Sequence, residues 1–386
     1  MNTPYYIIHK AELDKGFNLL KTALETCWNH YVIGYSYKTN ALPWLIKEFD
    51  GKGCYAEVVS EDEYALAKTI GVADSKIIYN GPIKTKESFL EALSNGCYVN
   101  IDASREIDWL DALPVKDCKL GIRVNFDIES MCPGQSQCGL EGGRFGFCYE
   151  NGELEKAIGQ IREKGFAIQG LHLHVSSKSR GIDIYKASAA IACRIKEKYA
   201  LNLSYVDIGG GFFGGLPNKP QFNDYMQAIA AILSQAFCPE ETTLIVEPGM
   251  ALVGSPVSYV TSVIDVKDTT YNRFVVTDGT RTSIDPLMTK SNYFHRYERN
   301  HTGEVLKKQV VCGSTCMEHD RLFEMHDEEA LSVGDRIIYD KVGAYTMCLT
   351  PLFIKYFPRV YMEEGGQFTL VRDAWTPAEY IQKSII

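Results

Sequence analysis

The sequence predicts a (β/α)8 barrel joined to a mainly antiparallel β domain. Between about residues 30 and 250, eight short apolar strand candidates alternate with helix-length segments. Such alternation is typical of parallel sheets, and eight repeats favour a closed barrel over an open sheet. Beyond about residue 255, strand candidates follow one another with only turns between them, which indicates an antiparallel sheet. A chain of 386 residues also exceeds the usual size of one hydrophobic core, so two domains are expected.

The barrel strands are predicted from short runs that are rich in β-branched and aromatic residues. In chain order these runs are YVIGYSY, GCYAEVV, KIIYNG, CYVNID, KLGIRVNF, IQGLHLHV, LSYVDIGGG and TLIVEPG. The segments between them have helical length and polarity, as in EDEYALAKTIG, GELEKAIGQIREKG and IDIYKASAAIACRIKEKYA. Because barrels of this kind place their chemistry at the carboxyl ends of the strands, the residues at these ends are the candidate site residues.

The C-terminal part of the chain predicts a separate β domain. Its strand candidates are SYVTSVIDVKD, RFVVTDG, KKQVVCG and DRIIYDKV. The opening run YYIIHKAEL is expected to cross into this domain before the barrel begins. We therefore predict a barrel over residues 25–255 and a β domain formed by residues 1–24 and 256–386.

The composition argues against several classes of partner. A formal net charge of −9 disfavours nucleic acids and anionic membranes, since both are polyanions. No apolar run comes near the ~20 residues of a membrane span. The start of the sequence lacks the basic and apolar regions of a signal peptide, so a cytoplasmic protein is expected.

The twelve cysteines are scattered along the chain and form no CxxC pair. The closest clusters, Cys132 with Cys138 and Cys312 with Cys316, lack a second pair at the spacing of a structural zinc site. We therefore expect buried free thiols in a reducing compartment, and no bound metal.

Lys38 ends the first predicted barrel strand, in YVIGYSYKTN. Most lysines at strand ends are solvated. The alternative is a lysine that is partly desolvated in the mouth of the barrel and can form a Schiff base with a carbonyl compound. Both interpretations stay open on this residue alone.

The run GLHLHVSSKS places His172 and His174 two residues apart, on the same face of a strand. A zinc pair is one interpretation, although no third ligand is evident nearby. A buried core histidine is another. The third is an imidazole stacked on a planar cofactor, with the hydroxyl of Ser176 or Ser177 turned to an anion.

Two further strand ends carry candidate binding groups. In YVDIGGGFFGG, the glycines at 209–211 allow backbone N–H groups to approach an anion closely, although a tight turn would also use glycine. The pattern is not the dinucleotide GxGxxG, so a phosphate monoester fits better. In TLIVEPGM, Glu247 is either structural or the partner of a pyridine nitrogen.

Together these strand ends supply what pyridoxal 5′-phosphate requires of a protein. Their order and spacing resemble the fold-type III pyridoxal-phosphate-dependent amino-acid decarboxylases, the group of ornithine, diaminopimelate and carboxynorspermidine decarboxylases, which have the alanine racemase-like fold. The motifs are YSYKTN, GGRFGF, GLHLHVSS, DIGGGF, EPG, GSTCMEHD and GAYT, and they span nearly the whole chain.

The resemblance implies a role for each motif residue. Lys38 would be the Schiff-base lysine, and His174 would stack on the cofactor ring. Glu247 would meet the pyridine nitrogen. The phosphate would be bound by Ser177, Gly210 and Gly211.

The resemblance also implies a homodimer with shared active sites. Cys316 would reach into the partner subunit's site as a catalytic residue, and Tyr345 would close over the phosphate there. In the family, each chain's β-domain loops complete the other chain's site.

Three positions depart from the family pattern. Met250 stands where arginine normally follows EPG, Asp285 stands in place of an arginine that binds the substrate carboxylate, and Met317 follows the motif cysteine in place of an acid. A thioether cannot pair with an ammonium group, so ornithine, lysine and diaminopimelate are disfavoured as substrates. The residues Arg281, His295 and Glu318 are candidate substrate contacts instead.

We therefore predict a pyridoxal-phosphate-dependent decarboxylase of an amino acid or amino-acid conjugate, from a siderophore, polyamine or lysine-type biosynthetic pathway. One rival is an amino-acid racemase of the same fold. Such racemases place arginine at the pyridine nitrogen, so Glu247 favours decarboxylation. The other rival is a cofactor-binding pseudoenzyme that regulates a decarboxylase, but such proteins typically lose cofactor contacts that this sequence keeps.

Overall fold

The structure, a computed structural model, describes residues 1–300 and 302–385. The chain divides into two compact units, residues 16–251 and residues 1–15 with 252–386. The first division falls inside α1 (Lys10–Cys27), which follows β1 (Tyr5–His9). The predicted divisions were after residues 24 and 255.

The unit of residues 16–251 is a closed parallel barrel. Its strands are β2 (Tyr31–Ser36), β3 (Tyr55–Ser60), β4 (Ile77–Ile83), β5 (Tyr98–Ile101), β6 (Leu120–Asn125), β7 (Phe147–Cys148), β8 (Gly170–His172), β9 (Tyr205–Asp207) and β10 (Thr243–Val246). Around the barrel the order is β2-β3-β4-β5-β6-β8-β9-β10, and β10 pairs back to β2. The short β7 pairs in parallel with the last two residues of β6. All eight predicted strands take part, which confirms the predicted fold.

Helices follow the barrel strands along the chain. They are α2 (Pro43–Gly51), α3 (Glu61–Ile70), α4 (Lys86–Ser94), α5 (Ser104–Trp109), α6 (Ile128–Met131), α7 (Glu153–Glu163), α8 (Ile182–Lys198), α9 (Phe222–Leu233) and α10 (Met250–Val253). The ends of α3 show how local sequence sets the bounds of a helix. The Ser60 hydroxyl accepts a hydrogen bond from the Glu63 N–H, and Gly71 ends the helix at a φ of 90°.

Within the barrel unit, the buried ring of Tyr205 packs against a glycine and joins a short series of amides. A Cβ atom at Gly170 would lie 2.0 Å from Cζ of Tyr205, so only glycine leaves room for this ring. The Tyr205 hydroxyl donates to Oδ1 of Asn100 at 2.9 Å, and Nδ2 of Asn100 donates to Oδ1 of Asn80 at 2.8 Å. These buried polar groups thereby satisfy one another.

The other unit is a mainly antiparallel β structure. Its further elements are β11 (Val257–Asp268), β12 (Arg273–Thr277), α11 (Arg281–Ile284), β13 (Phe294–Glu298), β14 (Val305–Leu306), β15 (Gln309–Cys312), β16 (Arg321–Met325), β17 (Glu328–Glu329), β18 (Arg336–Asp340), β19 (Arg359–Glu364), β20 (Gln367–Arg372) and α12 (Pro377–Tyr380). The main sheet runs β16-β15-β12-β11-β1-β19-β20, and β18 pairs with both β11 and β13. As expected, β1 joins this sheet, antiparallel to β11 and parallel to β19.

The structure bears on two predictions made from the composition, the state of the cysteines and the lack of a membrane span. Five of the cysteines are buried free thiols, namely Cys54, Cys97, Cys118, Cys132 and Cys193. Among the described helices, none has both the length and the apolar character that crossing a membrane would require.

Candidate active site

The amine of Lys38 lies just beyond the carboxyl end of β2. Its Nζ donates to Oε2 of Glu57 at 2.6 Å, and the Ser36 hydroxyl donates to the same oxygen at 2.6 Å. Ser36 and Glu57 are register partners on β2 and β3, so neighbouring strands bring these groups together. The Glu57 side chain is 1% exposed and that of Lys38 is 34% exposed. Lys38 is therefore a paired, partly desolvated lysine.

An amide links this lysine pair to a second carboxylate. Nδ2 of Asn80 donates to Oε1 of Glu57 at 3.2 Å and to Oε1 of Glu247 at 2.5 Å. All three side chains are buried. The amide has two N–H groups, so it can fix both carboxylates at once.

A second acid lies beside Glu247. One ring nitrogen of His172 and one carboxyl oxygen each of Asp207 and Glu247 all lie within 4.8 Å of one another. Nε2 of His172 is 3.5 Å from Oε2 of Glu247. Burial, followed by the neighbouring Glu247 carboxylate, raises the pKa of Asp207 well above its usual range. Burial acts to raise the pKa of Glu247 as well, but His172 and Lys38 nearby lower it overall. Asp207 therefore keeps its proton while Glu247 is a carboxylate.

The sequence showed no third metal ligand near His172 and His174, whereas the structure brings further candidate ligands to His172. The structure places two carboxyl groups beside His172, from the ends of β9 and β10. The proton on Asp207 removes one of the two negative charges of this carboxyl pair, and Glu247 keeps the other. Oδ1 of Asp207 also accepts the N–H of Gly209 at 2.8 Å.

The imidazole of His174 is held in a neutral form. The N–H of Gly210 donates to Nδ1 at 3.0 Å, so Nδ1 is an acceptor and the ring proton resides on Nε2. Burial lowers the pKa of His174 to about 3, because the cation would be desolvated. A neutral, fixed, planar ring is suited to stacking.

The glycine run after β9 forms an anion cradle. Gly209 and Gly211 have φ angles of 69° and 87°, which glycine adopts without strain. A Cβ at Gly210 would lie 2.0 Å from the carbonyl oxygen of Glu247, so the two segments touch. Within the described chain the N–H groups of Gly211 and Phe212 have no acceptor, and Phe212 is fully buried. Two adjacent free N–H groups are suited to an oxyanion.

Ser177 and the loop GGRFGF border the same site. The Ser177 hydroxyl accepts the N–H of Arg180 at 2.9 Å. In the loop, the N–H of Gly146 donates to Oδ1 of Asp102 at 3.1 Å, and Arg123 donates to the other oxygen of Asp102 at 2.8 Å. Arg123 also donates to the carbonyl oxygen of His174 at 3.4 Å. The loop is thereby fixed to the strand end that carries His174.

A cavity of about 200 Å³ opens beside His174. It is bounded mainly by the segment 124–145, whose lining residues include Asn125, Cys138 and Arg144. No Asp or Glu of the described chain lines it. Arg144 is the charged residue among those that line it.

The candidate residues in the β unit differ in exposure. Cys316 lies between β15 and β16 and is exposed, and the Glu318 side chain is 97% exposed. Tyr345 is 38% exposed and has a φ of 57°, so its loop is held in a left-handed turn. These three side chains are accessible within their own unit.

The remaining two candidates are engaged inside the unit. Arg281 donates to Asp285 at 3.2 Å and to the carbonyl oxygens of Met288 and Lys290. A guanidinium so engaged would have to leave Asp285 before it could bind a substrate carboxylate. Both ring nitrogens of His295 lie 3.0 Å from oxygen atoms, and the ring stacks on Phe323 at 4.1 Å.

Several site residues escaped the sequence analysis, namely Glu57, Asn80, Asp102, Arg123 and Asp207. Each lies within or directly after an apolar strand run, where a charged or amide side chain is unusual. That anomaly is the signal that could have found them. Their grouping depends on which strands are neighbours around the barrel.

The barrel site has the chemistry that pyridoxal phosphate needs. The amine of Lys38 suits its aldehyde, and the Glu247 carboxylate suits a protonated ring nitrogen. The neutral ring of His174 suits its flat face, and the free N–H groups suit its phosphate. Fold and site thus define a barrel protein built around this cofactor.

Comparison with known proteins gives the family. Residues 10–254 match the family model described as pyridoxal-dependent decarboxylase, pyridoxal binding domain. The match covers more than half of the chain, so the chain belongs to this family.

Individual relatives match this chain along nearly its whole length. Diaminopimelate decarboxylase of Methanocaldococcus jannaschii is 26% identical, over 100% of this chain and 91% of the relative. The enzyme of the same name from Aquifex aeolicus is 26% identical, over 96% and 89%. A crystal structure of the M. jannaschii enzyme superposes with a TM-score of 0.88 at 24% identity, covering 100% of this chain and 93% of that one.

A more distant structure shares the fold. The arginine decarboxylase of Paramecium bursaria Chlorella virus, bound to agmatine, has a TM-score of 0.77 at 20% identity and covers 92% of this chain and 94% of that one. The chain is a pyridoxal-phosphate-dependent amino-acid decarboxylase, as predicted. The racemase and the pseudoenzyme are not favoured.

Proposed function

We propose that the chain removes the α-carboxylate of an amino acid or amino-acid conjugate, with Lys38 as the lysine that binds pyridoxal phosphate. The observation that carries the proposal is the hydrogen-bonded series from Lys38 through Glu57 and Asn80 to Glu247. It joins an amine to the carboxylate suited to the ring nitrogen, through buried groups alone. Such a series keeps the two ends at a fixed spacing.

Each residue of the barrel site has a physical task in this proposal. Pyridoxal phosphate, when bound, supplies the electron sink for the charge left on the substrate as CO2 departs. Glu247 holds a proton on the ring nitrogen, and the neutral Asp207 beside it adds no competing charge. Glu57, 2.6 Å from Nζ, accepts the proton that the Lys38 amine must lose before it can react.

The β unit supplies the remaining groups in this proposal. Cys316 from a second copy of the chain would deliver a proton to the substrate carbon after CO2 has left. Tyr345 from the same copy would cover the phosphate, and Ser177, Gly210 and Gly211 would bind it. The exposure of Cys316 and Tyr345 supports this use of them.

For the substrate, we infer a distal end that is anionic or an amide. The cavity beside His174 is lined by Arg144 and by no Asp or Glu of the described chain. Met317 replaces the acid that would pair with a distal ammonium.

Glu318 and His295 remain candidate contacts, whereas Arg281 would first have to leave Asp285. A biosynthetic pathway of the siderophore, polyamine or lysine type fits such a reaction, and the relatives are named diaminopimelate decarboxylases.

The test uses wild-type protein, Lys38→Ala and the control Lys47→Ala, a half-exposed lysine on α2. We expect Lys38→Ala to lose the visible absorbance of the lysine-bound cofactor and to reduce CO2 release to background. Lys47→Ala should keep both. If Lys38→Ala kept both, the assignment of Lys38 would be wrong.

The same assay, run with a substrate panel, tests the inferred substrate class. The panel pairs amino acids that end in an ammonium group, such as ornithine and lysine, with amino acids that end in a carboxylate or amide and with N-acylated diamino acids. We expect higher kcat/KM for the second group. A preference for the ammonium group would contradict the inferred substrate class and leave the assignment of Lys38 intact.

A further inference from the structure

Arg180 carries a guanidinium group without an anionic partner. Its Nη1 lies 2.8 Å from Sδ of Met250, and its Cζ lies 5.2 Å from the centre of the Phe213 ring. No carboxylate in residues 1–300 or 302–385 forms an ion pair with it. A thioether is a weak acceptor, so most of the five N–H donors of this partly buried group are unmatched.

The backbone around Arg180 is built to hold it in place. Its φ is 51°, a strained conformation that is uncommon outside glycine. Two side chains fix this conformation. The Arg180 N–H donates to the Ser177 hydroxyl at 2.9 Å, and the Tyr225 hydroxyl donates to the Arg180 carbonyl oxygen at 2.7 Å.

The guanidinium stands beside the anion cradle. The glycine segment runs along the chain that follows β10, because added Cβ atoms at Gly210 and Gly214 would lie about 2 Å from the carbonyl oxygens of Glu247 and Ala251. Phe213 and Met250, the two contacts of Arg180, come from these two segments. The free N–H groups of Gly211 and Phe212 belong to the same stretch.

We propose that Arg180 provides the charged contact to the phosphate group of pyridoxal phosphate. This rests on the proposed function, since it takes the barrel site as the cofactor site. The cradle offers N–H donors without a full charge, and Met250 adds none. A phosphate dianion bound there needs a cation, and a guanidinium offers two parallel donors to it. The Ser177 oxygen accepts the Arg180 N–H, which ties the arginine to the segment that carries the other candidate phosphate contact.

Cofactor binding to the apoprotein, followed by absorbance, tests this without activity. We expect Arg180→Gln to raise the Kd of pyridoxal 5′-phosphate on the order of 10- to 100-fold, as for the loss of a charge-assisted hydrogen bond. The Kd of pyridoxal, which has no phosphate, should stay the same. Arg194→Gln, on the exposed face of α8, is the matched control and should change neither value.

A positional swap sharpens the test. Because Nη1 of Arg180 touches Sδ of Met250, the double variant Arg180→Met with Met250→Arg places a guanidinium from the opposite segment in the same space. We expect it to recover most of the affinity for pyridoxal 5′-phosphate that Arg180→Met loses. A purely structural role of Arg180 would not be rescued in this way.

Three results would overturn the proposal. The first is an unchanged Kd of pyridoxal 5′-phosphate in Arg180→Gln. The second is equal weakening of pyridoxal and its phosphate, which indicates damage to the fold. The third is a change in substrate KM alone, which assigns the guanidinium to a substrate carboxylate. Failure of the wild-type protein to bind the cofactor would instead refute the proposed function.

Discussion

Lys84 places an ammonium group entirely inside the barrel unit. Its Nζ donates to the carbonyl oxygens of Gly81 and Asn100, at 2.6 and 3.0 Å, and to Oε2 of Glu106 at 3.1 Å. Both charged side chains are 0% exposed. Burial lowers the pKa of Lys84 and raises that of Glu106, and their mutual attraction opposes both shifts. Each charge is therefore tolerable only while the other is present.

This dependence predicts the effect of removing one partner. We expect Glu106→Ala to lower the free energy of unfolding by about 3–5 kcal/mol, because an uncompensated ammonium stays buried. Urea denaturation measures it. The control is Glu91→Ala, which breaks a surface pair with Lys68 and should cost about 1 kcal/mol or less. A similar cost at both positions would contradict the prediction.

At the scale of single residues, the sequence predicted what lies at strand ends better than what lies within strands. Lys38, His174 and Glu247 each follow an apolar run, and the barrel rule directs attention to such positions. Glu57 and Asp207 sit inside those runs. Their contacts come from the register of adjacent strands, β2 with β3 and β8 with β9, which sequence alone does not fix.

Among the elements, the first turn of α3 contains a half-buried acid close to the Lys38 site. Oε2 of Glu63 accepts the N–H of Val59 at 2.9 Å. Burial raises the pKa of Glu63 to about 7, against its usual 4.5. Between these two values the folded protein holds a proton that the unfolded chain has released. The contribution of Glu63 to the free energy of unfolding therefore falls as the pH rises from 4.5 to about 7.

We expect Glu63→Gln to reduce this loss of stability, because glutamine keeps the acceptor for Val59 and cannot ionise. The measurement is the free energy of unfolding of wild type and variant from pH 5 to pH 8, the range that brackets the raised pKa. The advantage of the variant should grow with pH. Glu61→Gln, an exposed neighbour on the same turn, should show no such trend. A constant difference across the range would refute the raised pKa.

Whole elements were predictable where their pattern was regular. The barrel strands and helices such as α7 and α8 follow clear apolar periods. By contrast β13, β16 and β19, whose sequences are FHRYE, RLFEM and RVYMEE, were not predicted. Their charged residues interrupt the apolar pattern, and pairing with neighbouring strands makes them strands.

For the whole molecule, the proposed site draws on both compact units. Lys38 and Glu247 belong to the unit of residues 16–251, whereas Cys316 and Tyr345 belong to the other. The proposed chemistry requires all four residues around one substrate, shielded from bulk water when the substrate carbon is protonated. We propose that a two-fold dimer meets this requirement, with each chain lending its Cys316 and Tyr345 to the partner.

Mixing two inactive variants tests this arrangement. We expect Lys38→Ala and Cys316→Ala to be inactive separately. In a mixed dimer with shared sites, one site carries both lesions and the other carries neither. Random pairing makes half of the dimers mixed, each with one intact site, so activity should return to about a quarter of wild type.

The control for this mixing experiment pairs two lesions within the barrel unit. Lys38→Ala mixed with Glu247→Ala should give no recovery, because both residues come from the same chain's barrel in any dimer. Mass measurement of dimers carrying different tags shows that exchange has occurred. If the Lys38→Ala and Cys316→Ala chains form mixed dimers and activity stays at background, each site is built from one chain. Recovery in both mixtures would also refute the shared site, because it would no longer depend on which unit carries the lesion.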